Sequence, residues 1–350
     1  MNSRLHCARV GRLAILVPLL PCCVLFGTAL VPAQTVQSPP LKLIQTIPLT
    51  ARGPLAHMII DRLNDRAFVA ASAKGAVEIV DLKTADTITS IAGPGGPAEL
   101  VYYKKCDCVA YSTSSGLLRI LNPNTLIVDA EFVLTGSANA VGLDPQHGLG
   151  YVAHGSAAGK EFSQISFIDL LGRKNLGEIQ VEGGRLGQMV LEHHGPRGYI
   201  NNTATNQVMV IDLSERRIVD RWKVSGAAEN VSIALDENDH RLFVGSRKPN
   251  TLVVIDTQTG AAVAHLASVS DVDDIAYDST LKRVYLSGSE GFVDVVQQKD
   301  PDSYARIARI ATEAGAATSK WVPEQGRLYV EVPSGRMSGA GRILVYEAIE

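Results

Sequence analysis

Short apolar stretches and polar turns alternate along this chain in one pattern that recurs many times. Each copy begins with an apolar strand and a turn. It continues with a strand in which an aromatic residue precedes Val, Ile or Leu, and it ends with two further strands. The clearest copies begin at Ile59, Ile233 and Ile275. Because the segments are short, β-branched and alternating, the pattern predicts strands rather than helices.

The aromatic position fixes the register of the copies. In chain order it is occupied by Phe68, Val109, Tyr151, Tyr199, Phe243, Tyr285 and Tyr329. Successive positions lie 41 to 48 residues apart, which matches the period of four-stranded propeller blades. The sequence therefore predicts an all-β fold, a seven-bladed β-propeller of four-stranded blades over residues 41–350.

The end of the third strand gives a second landmark in each copy. The predicted ends are Asp81, Asn122, Asp169, Asp212, Asp256, Gln297 and Glu347. Measured from the aromatic position, copies three and seven carry about five extra residues between their second and third strands, as tolerated in surface loops. We expect these two longer loops to stand nearly opposite each other on the ring.

The two ends of the repeat region complement each other. The last copy stops at residues 342–350, which supply only a third strand, whereas Leu41–Leu49 resembles an isolated fourth strand. Pairing the two would close the ring and remove the free edges that an open ring leaves. Residues 34–40, with Pro39 and Pro40, are predicted to be a flexible lead.

The first 33 residues have the layout of a secretory signal peptide. Arg4, Arg9 and Arg12 precede an uncharged apolar run, and Val31-Pro32-Ala33 offers small residues for cleavage after Ala33. A membrane anchor and a lipoprotein remain alternatives. We expect cleavage, a periplasmic or secreted location, and no membrane span afterwards.

The net charge and the cysteine content limit which partners and metals the chain is expected to bind. Without residues 1–33 the chain has 30 basic and 36 acidic residues, a net charge of −6, so it has no global attraction for nucleic acid. We expect a monomer with no cofactor.

Cys106 and Cys108 are the cysteines that follow the signal segment. They either close a small ring or merely end a turn and enter a strand, and alone they are too few for a structural metal site.

The segments RAFVAASAKGAVEIVDLKTADTITSI and RLFVGSRKPNTLVVIDTQTGAAVAHL carry a family resemblance. Through them the chain resembles the bacterial YncE-like, YVTN-repeat β-propellers over essentially all of residues 41–350. The resemblance implies an exported seven-bladed ring, often without an assigned enzyme function. Some members are reported to bind DNA, and related rings include lactonases and haem- or quinone-dependent oxidoreductases. No Cys-x-x-Cys-His motif for covalent haem is present in this sequence.

Candidate ligand-binding residues lie in the connections from each fourth strand to the next first strand, which reach one mouth of the central channel in a propeller. These connections supply His57, Glu99, Asn139, Gln188, Asn230, Asp273 and Lys320. Binding residues concentrate on loops held by a rigid scaffold. The alternative is that these polar groups only solvate the channel rim.

Two further pairs of residues are candidates for a site. Asp273 and Asp274 are neighbours, and because adjacent strand residues point to opposite faces, only one of them should reach the channel. His193 and His194 follow a first strand and fall on the face opposite the candidate mouth, where solvated turn histidines are expected. The sequence contains no His-x-His, HExxH or nucleophile motif, so no catalytic or metal-binding residue is predicted.

Three functions compete at this point. The first is an exported, non-enzymatic binding or scaffold propeller for a small polar ligand or a protein partner. The second is a lactonase-type hydrolase of small sugar-acid lactones, which clustering of His57, Glu99 and Asp273 with perturbed pKa values would favour. The third is binding of single-stranded DNA, which needs a basic groove with exposed aromatic residues; nucleic acid is the least favoured partner.

Overall fold

A computed structural model describes residues 38–155, 161–335 and 339–350. These residues form seven four-stranded antiparallel sheets arranged as the blades of a ring. In chain order the strands are β1 (Leu41–Pro48), β2 (Met58–Asp61), β3 (Arg66–Ala71), β4 (Ala76–Asp81), β5 (Thr87–Ala92), β6 (Pro97–Tyr103), β7 (Cys108–Thr113), β8 (Leu117–Leu121), β9 (Val128–Val133), β10 (Ala138–Asp144), β11 (Leu149–His154), β12 (Phe162–Asp169), β13 (Lys174–Glu182), β14 (Leu186–Leu191), β15 (Arg197–Asn202), β16 (Gln207–Asp212), β17 (Arg217–Lys223), β18 (Ala228–Asp236), β19 (Arg241–Lys248), β20 (Asn250–Asp256), β21 (Ala262–Ala267), β22 (Val272–Asp278), β23 (Arg283–Gly288), β24 (Phe292–Asp300), β25 (Ser303–Ala311), β26 (Ser319–Val322), β27 (Arg327–Val332) and β28 (Arg342–Ala348). Two short 3₁₀ turns cover Ser72–Lys74 and Pro323–Gln325.

The first strand of each blade lies innermost, and these seven strands contact one another around the central channel. They are β2, β6, β10, β14, β18, β22 and β26, and β26 contacts β2 to complete the circle. Loops that precede the first strands and loops that join second to third strands lie on one face, which we call the mouth face. The remaining turns lie on the opposite face. The predicted seven-bladed propeller is confirmed.

The ring is closed by the first strand of the chain. β1 pairs antiparallel with β28, so the last sheet has the order β1-β28-β27-β26. Ile47 on β1 is fully buried and packs with Met58 and Val345 from the two blades that meet there. The N-terminal strand therefore supplies the fourth strand of the seventh blade, as expected. The predicted signal peptide, and residues 34–37 of the predicted lead, lie outside the described residues.

The repeated aromatic position belongs to the core between blades. Its side chains are 0 to 2 % exposed in every copy, including Val109 in copy two. Phe243 packs against Tyr277 and Tyr304, with ring centroids 5.1 and 5.8 Å apart. Offset and edge-to-face ring pairs of this kind add to the gain from burial, so the aromatic residues hold adjacent blades together.

The recurring Asp at the end of the third strand forms the following turn. The Asp81 carboxylate accepts hydrogen bonds from the backbone N–H groups of Lys83 and Thr84, both at 2.8 Å. Asp256 in blade five accepts the equivalent hydrogen bonds from the backbone N–H groups of Gln258 and Thr259. Side-chain oxygens of Asp and Asn favour such turns, which explains why this residue marks the strand end.

Three predicted strand ends differ slightly from the structure. β8 ends one residue before Asn122, and β28 ends one residue after Glu347. β24 continues to Asp300, three residues beyond Gln297, because its hairpin with β25 extends until Asp300 pairs with Ser303. The longer connections of copies three and seven join β11 to β12 and β27 to β28 on the mouth face, with residues 156–160 and 336–338 outside the described residues.

Candidate functional site

Asp274 is the centre of a hydrogen-bond network that crosses the channel mouth. Its carboxylate accepts the backbone N–H of Ser319 at 2.7 Å and contacts Nδ1 of His57 at 3.2 Å. It also accepts a hydrogen bond from the side-chain amide of Gln188. These partners belong to blades seven, one and four, whereas Asp274 lies on β22 in blade six. One carboxylate thus joins four blades, and its side chain is only 11 % exposed.

His57 lies between two carboxylates in this network. Its Nδ1 faces Asp274, and its Nε2 is 3.7 Å from Oε2 of Glu99. Burial acts to lower the pKa of His57, but the charges of Glu99 and Asp274 and the hydrogen bond to Asp274 outweigh it. The net result raises the pKa of His57 well above its usual range. The raised pKa favours the imidazolium form of His57, in which Nδ1 donates to Asp274.

Glu99 shares the imidazolium with Asp274. Burial raises the pKa of Glu99, and the negative charge of Asp274 adds to that rise, while His57 and Lys320 act against it. A carboxyl group whose pKa is raised by burial holds a proton more readily than an exposed one. Glu99 is therefore a second carboxyl group at the site, and burial makes it hold its proton more readily than an exposed Glu does.

Glu331 is a buried carboxyl group that the sequence analysis missed. It lies on β27, its side chain is fully buried, and neither of its carboxylate oxygens has a well-formed hydrogen bond to a described residue. Burial raises its pKa to about 8, with further contributions from the nearby charges of Asp274 and Glu99, while His57 and Thr318 act to lower it. Glu331 is thus mostly protonated at neutral pH.

A signal for Glu331 exists in the repeat. It stands two residues after the aromatic Tyr329, where other blades have small or neutral residues such as Ala70 and Gly245. At this position Asn201 and Ser287 hydrogen bond to the next blade, at Ser232 and Ser319 respectively. Because this position faces the neighbouring blade, a charged residue here in blade seven is directed toward blade one, where His57 lies.

Asp273 and Asp274 both reach the mouth, contrary to the expectation from strand alternation. The pairing of β22 with β23 shifts between Val272 and Asp274, which marks a β-bulge at Asp273. A bulge places two residues opposite one and redirects a side chain. Asp274 lines the main cavity, and Asp273 lines a smaller one beside it. Asp273 also accepts a hydrogen bond from Arg247 at 2.8 Å.

The remaining predicted residues divide into three groups. Gln188 and Lys320 line the main cavity with His57 and Glu99. Asn139 is exposed and lines the smaller cavity of about 180 Å³. The structure does not bring Asn230 to the mouth: its side chain is fully buried, and its amide donates to Asn201 and to the carbonyl of Gln207.

Asn230 lies earlier in its blade than Asp274 does. It is four residues before Ala234, the partner of the aromatic Phe243, and its side chain lies in the interface with blade four. There it meets Asn201, the polar residue that occupies the neighbour-facing position of that blade. Asn230 therefore stabilises the packing of two blades and takes no part in the candidate site.

The main cavity of about 420 Å³ extends from the network into the channel. Its lining begins with His57 and Glu99 at the mouth and continues along the innermost strands to Tyr277 and His193. His193 lies on the opposite face, as expected, but it borders the far end of this same cavity. A cavity of this size holds a small molecule, and its polar groups are concentrated at the mouth.

The described ranges contain neither a group of metal-binding side chains nor a membrane-spanning helix. Across residues 38–155, 161–335 and 339–350, no three His, Cys, Asp or Glu side chains are grouped so that they would hold a metal ion. In the same ranges no helix is both long and apolar enough to traverse a bilayer.

Comparison with known proteins agrees with the architecture. No family profile matches the chain. Part of a mitotic checkpoint complex crystal structure superposes with a TM-score of 0.75 over 95 % of this chain and 99 % of that one, at 12 % identity. This likeness concerns the fold alone, and it agrees with a seven-bladed β-propeller.

A curated protein of Salmonella typhi, named uncharacterized protein YncE, is 26 % identical over 148 residues. The match spans 41 % of this chain and 41 % of that protein. Together with the seven-bladed ring, it supports a YncE-like propeller family for this chain.

Proposed function

We propose that this protein is a binding module that holds a small polar ligand at the mouth of its channel. The observation that carries the proposal is the network around Asp274, in which side chains from three blades and a backbone N–H from a fourth converge at the entrance of a 420 Å³ cavity. Convergence of polar groups from separate rigid elements on one cavity is typical of ligand sites. A protein partner that inserts a polar loop at the mouth would use the same groups.

The charges at the mouth indicate the kind of ligand. The cations His57 and Lys320 stand beside the carboxyl groups of Glu99 and Asp274, while Arg247 is paired with Asp273 and Asp271. Charges of both signs attract neither a polyanion nor a polycation strongly. They match a zwitterion or a neutral molecule rich in hydroxyl groups, and they disfavour single-stranded DNA.

A ligand screen with matched variants tests this proposal. Thermal shift and ligand-observed NMR would be measured with amino acids, betaines and sugar acids for the intact protein, for Asp274→Asn and for Asp86→Asn. Asp86 is an exposed residue in the turn before β5 and serves as the control. Binding that is lost in Asp274→Asn and retained in Asp86→Asn supports the proposal. Binding that survives in both variants overturns the assignment of the site.

A second candidate function is hydrolysis of a small lactone. The observation that favours it is the position of His57 between two carboxylates, with the pKa values of His57 and Glu99 both raised. Groups with raised pKa values in a cleft are candidates for acid–base catalysis. The ionised form of Glu99 would take a proton from water as it attacks the lactone carbonyl. His57 would donate a hydrogen bond to the carbonyl oxygen, and the ring C–O bond would break as Glu99 returns its proton to the leaving ring oxygen, which gives the hydroxy acid.

Acid release from gluconolactone separates the two candidates. Acceleration above the spontaneous rate that disappears in Glu99→Gln, but not in Glu324→Gln, supports hydrolysis. Glu324 is an exposed residue on the opposite face, paired with Arg62. A rate equal to that of buffer alone leaves binding as the function of the site.

We also propose that the protein acts outside the cytoplasm. This rests on the basic, apolar and small-residue regions of residues 1–33. N-terminal sequencing of the protein from a cell fraction is the test. A periplasmic or secreted form that begins at Gln34 is expected, and a cytoplasmic form that retains Met1 contradicts export.

A further inference from the structure

A disulfide lies in the turn between β6 and β7, on the face opposite the mouth. It joins Cys106 to Cys108 across the single residue Asp107. Cys106 is partly exposed in the turn, whereas Cys108 begins β7 and is only 1 % exposed. The sequence alone left open whether these cysteines are bonded. The structure further shows that Cys106 is the more exposed of the two residues, so an external reagent meets Cys106 first.

A cation lies beside the buried sulfur. Nη1 of Arg173 is 3.7 Å from Sγ of Cys108. Arg173 comes from the turn between β12 and β13 in the next blade, and its guanidinium also donates to the carbonyl of Leu170. A positive charge next to a sulfur stabilises its thiolate. If the disulfide opens at Cys106, the negative charge that appears on Cys108 therefore has a partner already in place.

The acidic residue of the turn is held by neutral donors. One carboxylate oxygen of Asp107 accepts from the hydroxyl of Tyr102 at 2.8 Å, and the other accepts from the amide of Asn124 at 2.6 Å. Two exposed lysines, Lys104 and Lys105, precede the disulfide. The approach to Cys106 is therefore basic, which favours an anionic thiol.

From these positions we propose that the Cys106–Cys108 disulfide exchanges with anionic small-molecule or peptide thiols, with Cys106 as the sulfur attacked and Cys108 as the leaving group. The thiolate of the substrate forms a bond to Sγ of Cys106 as the Cys106–Cys108 bond breaks, and Cys108 leaves as a thiolate beside Arg173. A second substrate thiolate then attacks the substrate sulfur of the mixed disulfide. Substrate disulfide and the Cys106 thiolate are released, so two substrate thiols are oxidised and one protein disulfide is reduced.

This reaction is independent of the channel site. The disulfide lies on the opposite face of blade two, and no residue of the turn lines the main cavity. Failure of the ligand proposal therefore leaves this proposal unaffected, and the reverse also holds.

The test uses the oxidised, intact protein and glutathione. Samples are quenched with acid, the free thiols are alkylated, and the products are located by mass spectrometry. We expect reduction within minutes at millimolar glutathione, with the transient adduct on Cys106. In Arg173→Gln the reduction should slow about tenfold, because a poorer leaving thiolate departs more slowly. Arg173→Lys keeps the charge and should restore part of the rate.

Arg216 provides a matched control. It occupies the same place in the turn of blade four that Arg173 occupies in blade three, four residues after the Asp that ends the third strand. In Arg216→Gln, glutathione should reduce the Cys106–Cys108 disulfide at the same rate as in the unaltered protein. The proposal is overturned if glutathione leaves the disulfide intact, if the adduct forms on Cys108, or if Arg173→Gln and Arg216→Gln react at equal rates.

Discussion

The carboxylate of Asp274 and the imidazole of His57 meet across the ring, 3.2 Å apart, although a complete blade separates the strands that carry them. Most contacts in the ring join neighbouring blades, as expected for a repeat architecture. This contact joins blades six and one directly. Blade seven, which lies between them, contributes the backbone N–H of Ser319 to the same carboxylate. Removing one group should therefore affect several blades together.

Replacement of Asp274 by Asn should destabilise the protein by about 1–3 kcal/mol, because a buried network loses its charged acceptor. His57 would lose its closest anion, and its pKa should fall toward the normal range. Chemical denaturation gives the stability, and NMR titration of the imidazole gives the pKa. Asp86→Asn is the control, and an unchanged His57 titration in Asp274→Asn would contradict the network.

Glu331 should make the protein less stable as pH rises. Its folded-state pKa of about 8 lies above the value of 4.5 for an unperturbed Glu. Below the pKa of the unfolded state, Glu331 is protonated in both states, and the free energy of unfolding does not change with pH. Between the two values the unfolded state releases the proton while the folded state keeps it, so stability decreases with pH by up to about 4 kcal/mol between pH 5 and pH 8.

Glu331→Gln should flatten this dependence, as measured by denaturant unfolding at several pH values. His57 contributes in the same direction, because its raised pKa gives stability that is present below its unfolded pKa and lost as pH rises through the folded one. Some slope therefore persists in the variant. A slope identical to that of Glu324→Gln would show that Glu331 titrates normally.

Ring closure can be tested with one strand. Ile47→Ala on β1 should cost about 2–5 kcal/mol, because a fully buried side chain is truncated at the junction of the first and last blades. Ile44→Ala on the same strand, where the side chain is 38 % exposed, should change stability little. Deletion of Leu41–Leu49 should be more severe. If the deletion variant melts like the intact protein, β1 does not close the ring in solution.

Phe243→Ala tests the role of the repeated aromatic position. It should destabilise by about 3–5 kcal/mol, since the ring is fully buried between Tyr277 and Tyr304. Binding at the mouth should persist at temperatures where the variant is folded. Phe162→Ala, at a 47 % exposed ring, is the matched control. Equal melting temperatures for the two variants would contradict a structural role for Phe243.

The repeat made the fold predictable from the sequence. Phe68 and Phe243 recur at one position because every blade buries the same point against its neighbour, and Asp81 and Asp256 recur because every third strand ends in the same turn. The pairing of β1 with β28 followed from counting strands. Such features depend on local chemistry that is repeated seven times, so the copies within one sequence can be compared with one another.

The site was less predictable because it depends on irregular backbone in the first strands and on residues that differ between blades. Strand alternation excluded one member of the pair Asp273 and Asp274, and a bulge brings both to the mouth. Asn230 lies two residues before Ser232, the residue of β18 that aligns with Asp274, and its amide turns toward Asn201. Glu331 reaches the site from a second strand, which the focus on loops omitted. Side-chain direction at irregular backbone is set by tertiary packing, which sequence position does not encode.

Closure of the ring also determines where the chain leaves it. The backbone N–H of Ile349 donates to the carbonyl of Pro40 at 2.9 Å, so both ends of the propeller emerge side by side from the face opposite the mouth. A surface, carrier domain or sensor chip attached at either end would orient every molecule with its channel entrance outward. A linker from residue 350 to residue 41 would need to span only a hairpin turn. Cutting the chain in another blade would then give a circular permutant whose new ends can be placed beside the mouth.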